Sequence, residues 1–299
     1  MDREIFVSYS VSANSIAGWV AYGGSESFHD MSRGILAARI GIPRLLRMFR
    51  KFCIKSSWYV PGIVMETFPD EVRAIYADGH ELGTHGYLHE YAPSMSYDQE
   101  ERVIAKTAEL VKDITGHNPY GHLPSQWEES VNTMRILMNH GYKYARGLED
   151  DDFHPFYAST GRSWPRVDYS KLPETWMKPM NLGEKIDFVE IPINWFLNDG
   201  TYFNFNKHVP GKRPMSLSEV LENWKAAFDY VYREYEYAIF PVNIHPDTSG
   251  NPEVQIFHEK FISYILEHNG ASFVSDSFIA EDFRKRYPFP HEFREKVDL

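Results

Sequence analysis

Strand-like and helical patterns alternate along the chain. Several short runs are apolar and rich in β-branched or aromatic residues, which is typical of buried strands. The predicted strands are residues 4–10, 57–60, 81–85, 142–146, 188–193, 237–244 and 271–275. The segments between them have helical periodicity, most clearly between residues 103 and 114. Such alternation predicts an α/β fold, a distorted (β/α) barrel of about seven parallel strands wrapped by helices.

Residues at the ends of the predicted helices support this pattern. Ser96 is followed three positions later by Gln99, which resembles a capping box at a helix start. Gly116 and Gly270 fall where predicted helices should end. No repeat, low-complexity tract or linker divides the sequence, so we expect a single domain, residues 1–299, around one core.

Composition and charge narrow the setting. The 299 residues are 43% hydrophobic, enough for one large core, and the single cysteine, Cys53, excludes an intramolecular disulfide. The first residues lack the apolar core of a signal peptide, which predicts a cytoplasmic protein. No apolar run approaches the roughly 18 residues that span a bilayer, and the net charge of -11 disfavours nucleic acid and anionic membranes. We therefore expect a small soluble molecule as the partner.

Three polar motifs follow predicted strands. Ser10 and Ser12 close the first strand, and His85 and His89 follow the third. His245 ends a later strand. In parallel barrels the catalytic groups lie on loops at the carboxyl ends of the strands, and those loops share one mouth. The sequence therefore predicts that these five side chains converge.

These motifs resemble those of the polysaccharide deacetylase superfamily, also called the NodB-homology superfamily. The resemblance extends over nearly the whole chain. It rests on segments 7–13, 79–90 and 245–250, with further marks at Gly18-Trp19, Ser32-Arg33-Gly34 and Trp195 with Asn198-Asp199. It is closest to an intracellular branch that includes cyclic imide hydrolases, allantoinase-like proteins and a peptidoglycan deacetylase relative.

The resemblance implies a hydrolase of C–N bonds other than peptide bonds, acting on a small amide, cyclic imide or N-acetyl compound. His85 and His89 match the family's ligands for a divalent metal such as zinc. His245 matches the general acid that protonates the leaving nitrogen. A homo-oligomer is also implied. The positions expected to contact the substrate are Trp195, Asn198, Asp199, Gly86 and Tyr87.

The first strand departs from the family pattern. In the superfamily it ends in Asp-x-Asp, whose first carboxylate is the general base and whose second is the third metal ligand. Here Ser10 and Ser12 occupy those positions. Catalytic zinc usually has three protein ligands, and a neutral hydroxyl is a poor one. Leu123 also stands where many relatives place an arginine. These differences predict a modified or metal-independent mechanism.

Three explanations of the departure remain open. In the first, hydrolysis is metal-independent and a histidine activates water, or Ser10 or Ser12 is itself the nucleophile. In the second, a carboxylate such as Asp30, Glu90 or Asp199 completes a metal site with the two histidines. In the third, catalysis has been lost and the barrel acts as a ligand-binding or assembly module.

Overall fold

A single curled sheet organises the protein. The computed structural model describes residues 3–21, 27–204 and 214–290. Within these ranges the strands are β1 (Glu4–Ser12), β2 (Ser57–Val60), β3 (Glu81–Thr84), β4 (Gly121–His122), β5 (Tyr144–Ala145), β6 (Phe156–Thr160), β7 (Glu184–Glu190), β8 (Tyr237–Ile244) and β9 (Ala271–Val274). Their order in the sheet is β6-β7-β5-β4-β3-β2-β1-β8, and β9 pairs with β1. Every strand pair is parallel except β6 with β7.

The predicted α/β class and distorted barrel are confirmed, with two additions to the strand list. β4 and β6 were not predicted from the sequence. β4 has only two residues, too few for a periodic pattern to appear. β6 lies in a long polar and aromatic region, and it pairs with β7 as an antiparallel edge strand. The sheet is therefore mainly, but not wholly, parallel.

Helices follow most of the strands. Within the described ranges they are α1 (Ile16–Ala21), α2 (Phe28–Leu36), α3 (Ile42–Lys51), α4 (Gly62–Thr67), α5 (Pro69–Ala77), α6 (Tyr97–Thr115), α7 (Thr133–Asn139), α8 (Asp199–Phe203), α9 (Leu217–Glu234), α10 (Pro246–Ser249), α11 (Pro252–Leu266) and α12 (Asp276–Arg286). One π-helical turn, Ala37–Gly41, joins α2 to α3. Across the part of the chain that the structure describes, no helix combines the length and hydropathy needed to cross a bilayer.

The ends of α6 confirm the predicted start and stop signals. Ser96 accepts a hydrogen bond from the backbone N–H of Gln99, and the Gln99 side chain accepts one from the N–H of Ser96. This reciprocal pair satisfies two donors that a helix start leaves open. Gly116 ends the helix at φ +81°, a left-handed conformation that glycine adopts without strain.

Strand β1 presents two chemically different faces. Four side chains on one face are apolar or aromatic and pack in the largest buried cluster: Ile5, Val7, Tyr9 and Val11. The opposite face carries Phe6, followed by Ser8, Ser10 and Ser12, all of which are buried. Because side chains alternate along a strand, this pattern places an apolar layer on one side of β1 and small polar groups on the other.

A fully buried ion pair lies on the polar side of β1. Arg146, just after β5, lies 3.1 Å from the Asp276 carboxylate at the start of α12, and both side chains are wholly buried. Arg146 also donates to the Ser8 hydroxyl at 3.1 Å. Tyr59 on β2 donates to the other Asp276 oxygen at 2.7 Å. This network ties four elements together inside the curled sheet.

Candidate active site

A pocket of about 390 Å³ opens at the carboxyl ends of the strands. Six of the predicted site residues line this pocket: Ser12, His85, His89, Trp195, Asn198 and His245. They come from widely separated parts of the chain, and the strand ends bring them together. The other predicted site residues lie elsewhere, as described below.

A buried carboxylate holds His245 at the pocket wall. The ring Nδ1 of His245 lies 2.7 Å from Oδ1 of Asp199, and the backbone N–H of His245 donates to Oδ2 at 2.8 Å. Asp199 is the first residue of α8 and is fully buried. Since an ionised carboxylate only accepts hydrogen bonds, this contact places the ring proton on Nδ1.

The position of Asp199 differs from the sequence prediction. Asp199 was expected to contact the substrate, but it is fully buried behind His245 and does not line the pocket. Its carboxylate contacts His245, which does line the pocket. The sequence offered little to reveal this contact, because α8 is only five residues long and has no periodic pattern of its own.

His85 is a neutral ring of fixed orientation. Its Nδ1 lies 2.6 Å from the backbone carbonyl of Leu123, and because a carbonyl only accepts, Nδ1 carries the proton. Burial lowers the pKa of His85 to about 4, although the bond to Leu123 opposes this shift. At neutral pH the other ring nitrogen, Nε2, therefore carries a lone pair.

His89 lies beside His85 on an irregular loop. A turn of helix would also have brought the two rings together, but residues 85–90 are not helical, and His89 has φ +66°. The two ring centroids are 4.9 Å apart and the ring planes meet at 78°. Burial is the main reason that the pKa of His89 lies well below its usual value, and the neighbouring His85 and His245 lower it further.

The two serines of β1 differ in position. Ser12 lines the pocket and donates to Oδ1 of Asn243 at 3.1 Å. Ser10 does not line the pocket: it is fully buried, with its hydroxyl 3.0 Å from the same Asn243 oxygen and 3.1 Å from the Val242 carbonyl. These hydroxyls point to amide oxygens and not to a histidine ring. Among the residues that the structure describes, neither serine makes the contact with a base that activates a serine nucleophile.

The donor atoms in the pocket do not fit the metal that the family resemblance implies. His85 and His89 supply two imidazoles, and Ser12 adds only a neutral hydroxyl. Over the described ranges, no group of three or more histidine, cysteine, aspartate or glutamate side chains is placed to hold a metal ion. Catalytic zinc usually takes three such ligands. The described part of the site therefore lacks one ligand.

The carboxylates considered as substitute ligands are engaged elsewhere. Glu90 accepts the backbone N–H groups of Tyr87 and Leu88, at 2.9 and 2.8 Å. Asp199 holds His245. Asp30 lies on α2 and does not line the pocket. None of the three completes a metal site with the two histidines.

Tryptophans form the walls of the pocket. Trp195, half exposed at the rim, meets Trp127 edge-on with ring centroids 4.3 Å apart. Trp19 also lines the pocket, and the Arg33 guanidinium lies 4.5 Å from its ring centre. Flat aromatic faces suit planar and sugar rings. Trp195 was predicted, whereas Trp127 was not, because nothing in its local sequence marks it as a site residue.

Strained backbone is concentrated around this pocket. Five non-glycine residues of the described chain have positive φ, and four of them line the pocket: Ser15, His89, Gln126 and Trp127. Such conformations are costly for residues with a side chain and cluster at functional sites. Their location therefore marks the pocket as the functional centre independently of the histidine motifs.

Three predicted substrate-contact residues have different surroundings. Asn198 lines the pocket, and its side-chain oxygen caps α8 by accepting the N–H of Gly200 at 2.7 Å. Its amide nitrogen is therefore the group left to donate to a ligand. Gly86 and Tyr87 do not line the pocket. Tyr87 instead donates its hydroxyl to Glu66.

The pocket also contains a carboxylate that was not predicted from the sequence. Asp247, two positions after His245, is the one carboxylate among the described residues that line the pocket. Burial raises its pKa, and the nearby His245 partly opposes this. The short helix α10, which carries Asp247, is packed tightly, since a side chain at Gly41 would meet the Pro246 carbonyl at 2.3 Å. The His-Pro-Asp sequence at residues 245–247 was the available signal.

Fold and site together define a curled parallel α/β barrel with a histidine-lined pocket at the carboxyl ends of its strands. The family model described as polysaccharide deacetylase matches residues 28–145. A peptidoglycan deacetylase of Helicobacter pylori is 43% identical over 290 residues, which cover 96% of this chain and 99% of that protein. The chain belongs to the polysaccharide deacetylase family.

Solved structures share the whole fold. A crystal structure of a putative polysaccharide deacetylase from Mycobacterium smegmatis matches with a TM-score of 0.82 and 22% identity, over 99% of this chain and 96% of that one. A crystal structure of Puue allantoinase matches with a TM-score of 0.74 and 21% identity, over 96% and 92%. At these identities the structural matches support the fold alone.

Proposed function

We propose that this protein hydrolyses a C–N bond in a small N-acetyl, amide or cyclic imide compound, with His245 as the central acid–base group. The observation that carries the proposal is the His245–Asp199 pair, 2.7 Å apart, at the wall of the pocket. Membership of the polysaccharide deacetylase family supports the reaction class. The name of the Helicobacter pylori relative suggests an N-acetyl substrate.

His245 is proposed to protonate the leaving nitrogen. Protonated His245 gives its proton to the nitrogen as the C–N bond breaks, so that the nitrogen leaves as a neutral amine or, from an imide, as a neutral amide. The Asp199 carboxylate orients the ring and stabilises the imidazolium. A positioned acid of this kind contributes about 100-fold or more to a rate.

Asp247 is proposed to activate the water. Its carboxylate accepts a proton from water while the water oxygen bonds to the carbonyl carbon. Burial raises the pKa of Asp247, which makes this carboxylate a stronger base than an exposed one. The lone pair on Nε2 of His85 can accept the second hydrogen of the same water. The amide nitrogen of Asn198 is proposed to stabilise the oxyanion that forms.

The shape of the pocket supports a small substrate. A volume of about 390 Å³ accommodates a molecule of one or two rings. Trp127 and Trp195 provide aromatic faces for a sugar or imide ring. No step proposed here needs the third metal ligand that the pocket lacks.

A second candidate is a binding module without catalysis. The observation that favours it is the replacement of the family's two carboxylates by Ser10 and Ser12, which removes the usual base and one metal ligand. In that case the aromatic pocket would bind a ligand without converting it. Product formation separates the two candidates.

The test is a hydrolysis assay on the purified full-length protein. N-acetylglucosamine and succinimide serve as probes, with release of acetate or of the ring-opened acid as the readout. We expect turnover by the wild type and a loss of about 100-fold or more in His245→Gln. The control, His140→Gln, changes a surface histidine paired with Glu101 and should keep the wild-type rate. Equal rates in wild type and His245→Gln would reject the role of His245, and tight binding without product would favour the binding module.

We also propose that the protein forms a homo-oligomer. The segment between β6 and β7 exposes many large apolar side chains: Trp164, Val167, Tyr169, Leu172, Met177, Met180 and Leu182. Clusters of this kind on a soluble protein usually mark an interaction surface. A second copy of the chain is the proposed occupant, in line with the oligomers that the family resemblance implies.

A further inference from the structure

A chain of hydrogen bonds continues inward from Asp199, away from the pocket. Ser249 Oγ lies 2.5 Å from Oδ2 of Asp199 and 2.7 Å from Nε2 of His258. The other ring nitrogen of His258, Nδ1, lies 2.9 Å from the hydroxyl of Tyr9. His245 is therefore connected to Tyr9 through three intermediate side chains.

The chemistry of the groups fixes the direction of each bond. The Asp199 carboxylate only accepts, so Ser249 gives it its single proton. Ser249 must then accept from His258, which places the ring proton of His258 on Nε2. The remaining nitrogen of His258 accepts from Tyr9. Every proton in the chain therefore points toward Asp199, and the arrangement has one consistent orientation.

Burial keeps these groups in the protonation states that the chain requires. Ser249 and His258 are fully buried, and Tyr9 is 1% exposed. Burial lowers the pKa of His258 to about 4, so the ring is neutral at pH 7. Burial also raises the pKa of Tyr9 well above its usual value, so the hydroxyl keeps its proton.

An apolar contact would be the simpler way to fill this space. His258 lies on α11 beside Trp224 and Phe257, and Tyr9 lies on the apolar face of β1. Burying a polar side chain in such surroundings is unfavourable unless all of its hydrogen bonds are made. Here each side chain hydrogen-bonds to the next, and the last bond is made to the Asp199 carboxylate. The buried polar groups therefore all support one contact, that of Ser249 with Asp199.

We propose that Ser249 and His258 are positioning residues for His245, acting through Asp199. Ser249 fixes the second oxygen of the Asp199 carboxylate, and His258 fixes the proton of Ser249. Together they hold the first oxygen in line with Nδ1 of His245. Tyr9 sets the tautomer of His258. The inference rests on the proposed acid role of His245, but its structural part is testable without any substrate.

The first test is nuclear magnetic resonance of protein labelled with ¹⁵N at histidine. The Nδ1–H proton of His245 should give a downfield, exchange-protected signal, assigned by its loss in His245→Gln. We expect this signal to broaden or disappear in Ser249→Ala and in His258→Leu. It should survive in His258→Gln, whose amide nitrogen can replace Nε2 as the donor. The matched control is Ser130→Ala, which removes a serine–carboxylate bond to Glu100 far from the chain of bonds.

Kinetics provide the second readout. Ser249→Ala should lower kcat by about 10-fold or more with KM nearly unchanged, because losing a hydrogen bond to a charged group disturbs His245 and not substrate binding. His258→Gln should recover most of that rate. An unchanged Nδ1–H signal in both Ser249→Ala and His258→Leu would overturn the inference. Altered signals in a protein with no turnover would support the positioning chain and reject the proposed function alone.

Discussion

At the residue scale, two histidines of the pocket, His85 and His245, have different surroundings. His85 has a pKa of about 4, so it is neutral at pH 7 and its Nε2 accepts. His245 differs from His85 because a carboxylate, and not a backbone carbonyl, receives its Nδ1 proton. A carboxylate favours a protonated ring far more than a carbonyl does. The pocket therefore contains one histidine suited to donate a proton and one suited to accept a hydrogen bond.

The proposed base gives a prediction about pH. Because burial raises the pKa of Asp247, kcat/KM should fall on acidification at a higher pH than an exposed aspartate would give. Asp247→Asn should lower kcat by about 100-fold or more and remove this acid limb. The measurement is a pH–rate profile of both proteins. A variant with full activity, or with the same acid limb as the wild type, would contradict the assignment.

Stability serves as the control for Asp247→Asn. The native pKa of Asp247 is raised above its unfolded value, so the native state binds the proton more tightly than the unfolded chain. Its ionisation therefore lowers stability as pH rises through this pKa, and the effect is absent at low pH. Replacement by neutral asparagine removes that penalty. The variant should unfold in urea at the same or a higher concentration than the wild type at pH 7.

Ser12 gives a prediction about metal binding. Aspartate at this position would supply the missing third ligand beside His85 and His89. Losing even an outer partner of a metal site weakens binding by about 10-fold, so gaining a direct ligand should tighten zinc binding by at least that factor. Titration calorimetry of Ser12→Asp against Ser12→Ala tests this. Equal zinc affinity in the two variants would mean that the histidines are not placed for a metal.

At the element scale, long periodic segments could be predicted and short ones could not. The stripe between residues 103 and 114 and the Ser96 cap located α6 correctly because both signals are local. β4 and α8 have two and five residues, too few for any period, and tertiary contacts define them instead. Asp199 begins α8, and its contact with His245 could not be predicted for the same reason.

The convergence of the site was predictable, but the detailed contacts were not. Strand ends placed Ser12, His85 and His245 at one mouth, as the topology requires. Ser10 is two residues from Ser12 on the same face of β1, yet it lies below the pocket, where its hydroxyl contacts Asn243 of β8. That depth depends on the curvature of the sheet, which the sequence does not encode in any local pattern.

The buried ion pair between β5 and α12 gives a stability prediction. Replacing Arg146 by Met leaves Asp276 charged and without its ion-pair partner in the interior, which should lower the free energy of unfolding by about 3–5 kcal/mol. The control is Arg50→Met, which breaks the surface pair with Asp78, where the arginine side chain is 55% exposed. Surface pairs contribute about 1 kcal/mol or less. Urea unfolding of both variants is the measurement, and equal losses would contradict the structural role of Arg146.

At the scale of the whole molecule, the proposed active pocket and the proposed contact surface are separate features. The pocket lies at the strand ends, whereas the exposed apolar side chains lie between β6 and β7. Light scattering after gel filtration should give a mass that is a multiple of the 34.9 kDa subunit. Trp164→Ser combined with Leu172→Ser should shift the mass toward one subunit. Ile256→Ser, a change at another exposed apolar side chain, should not.

A monomeric mass for the wild type would contradict the proposed assembly without affecting the pocket. The variant with both Trp164→Ser and Leu172→Ser should keep its hydrolysis rate, since neither residue lines the pocket. A loss of activity in this variant would mean that the site depends on assembly. The assay and the mass measurement together distinguish these cases.

The most direct test of the central claim is the hydrolysis rate after removal of metal. The purified protein would be dialysed against a chelator, its metal content measured, and its rate on the N-acetyl and imide probes compared with that of His245→Gln. The account predicts that the metal-free protein keeps its rate, whereas His245→Gln loses about 100-fold or more. Loss of the rate on chelation, with recovery on adding zinc, would contradict it.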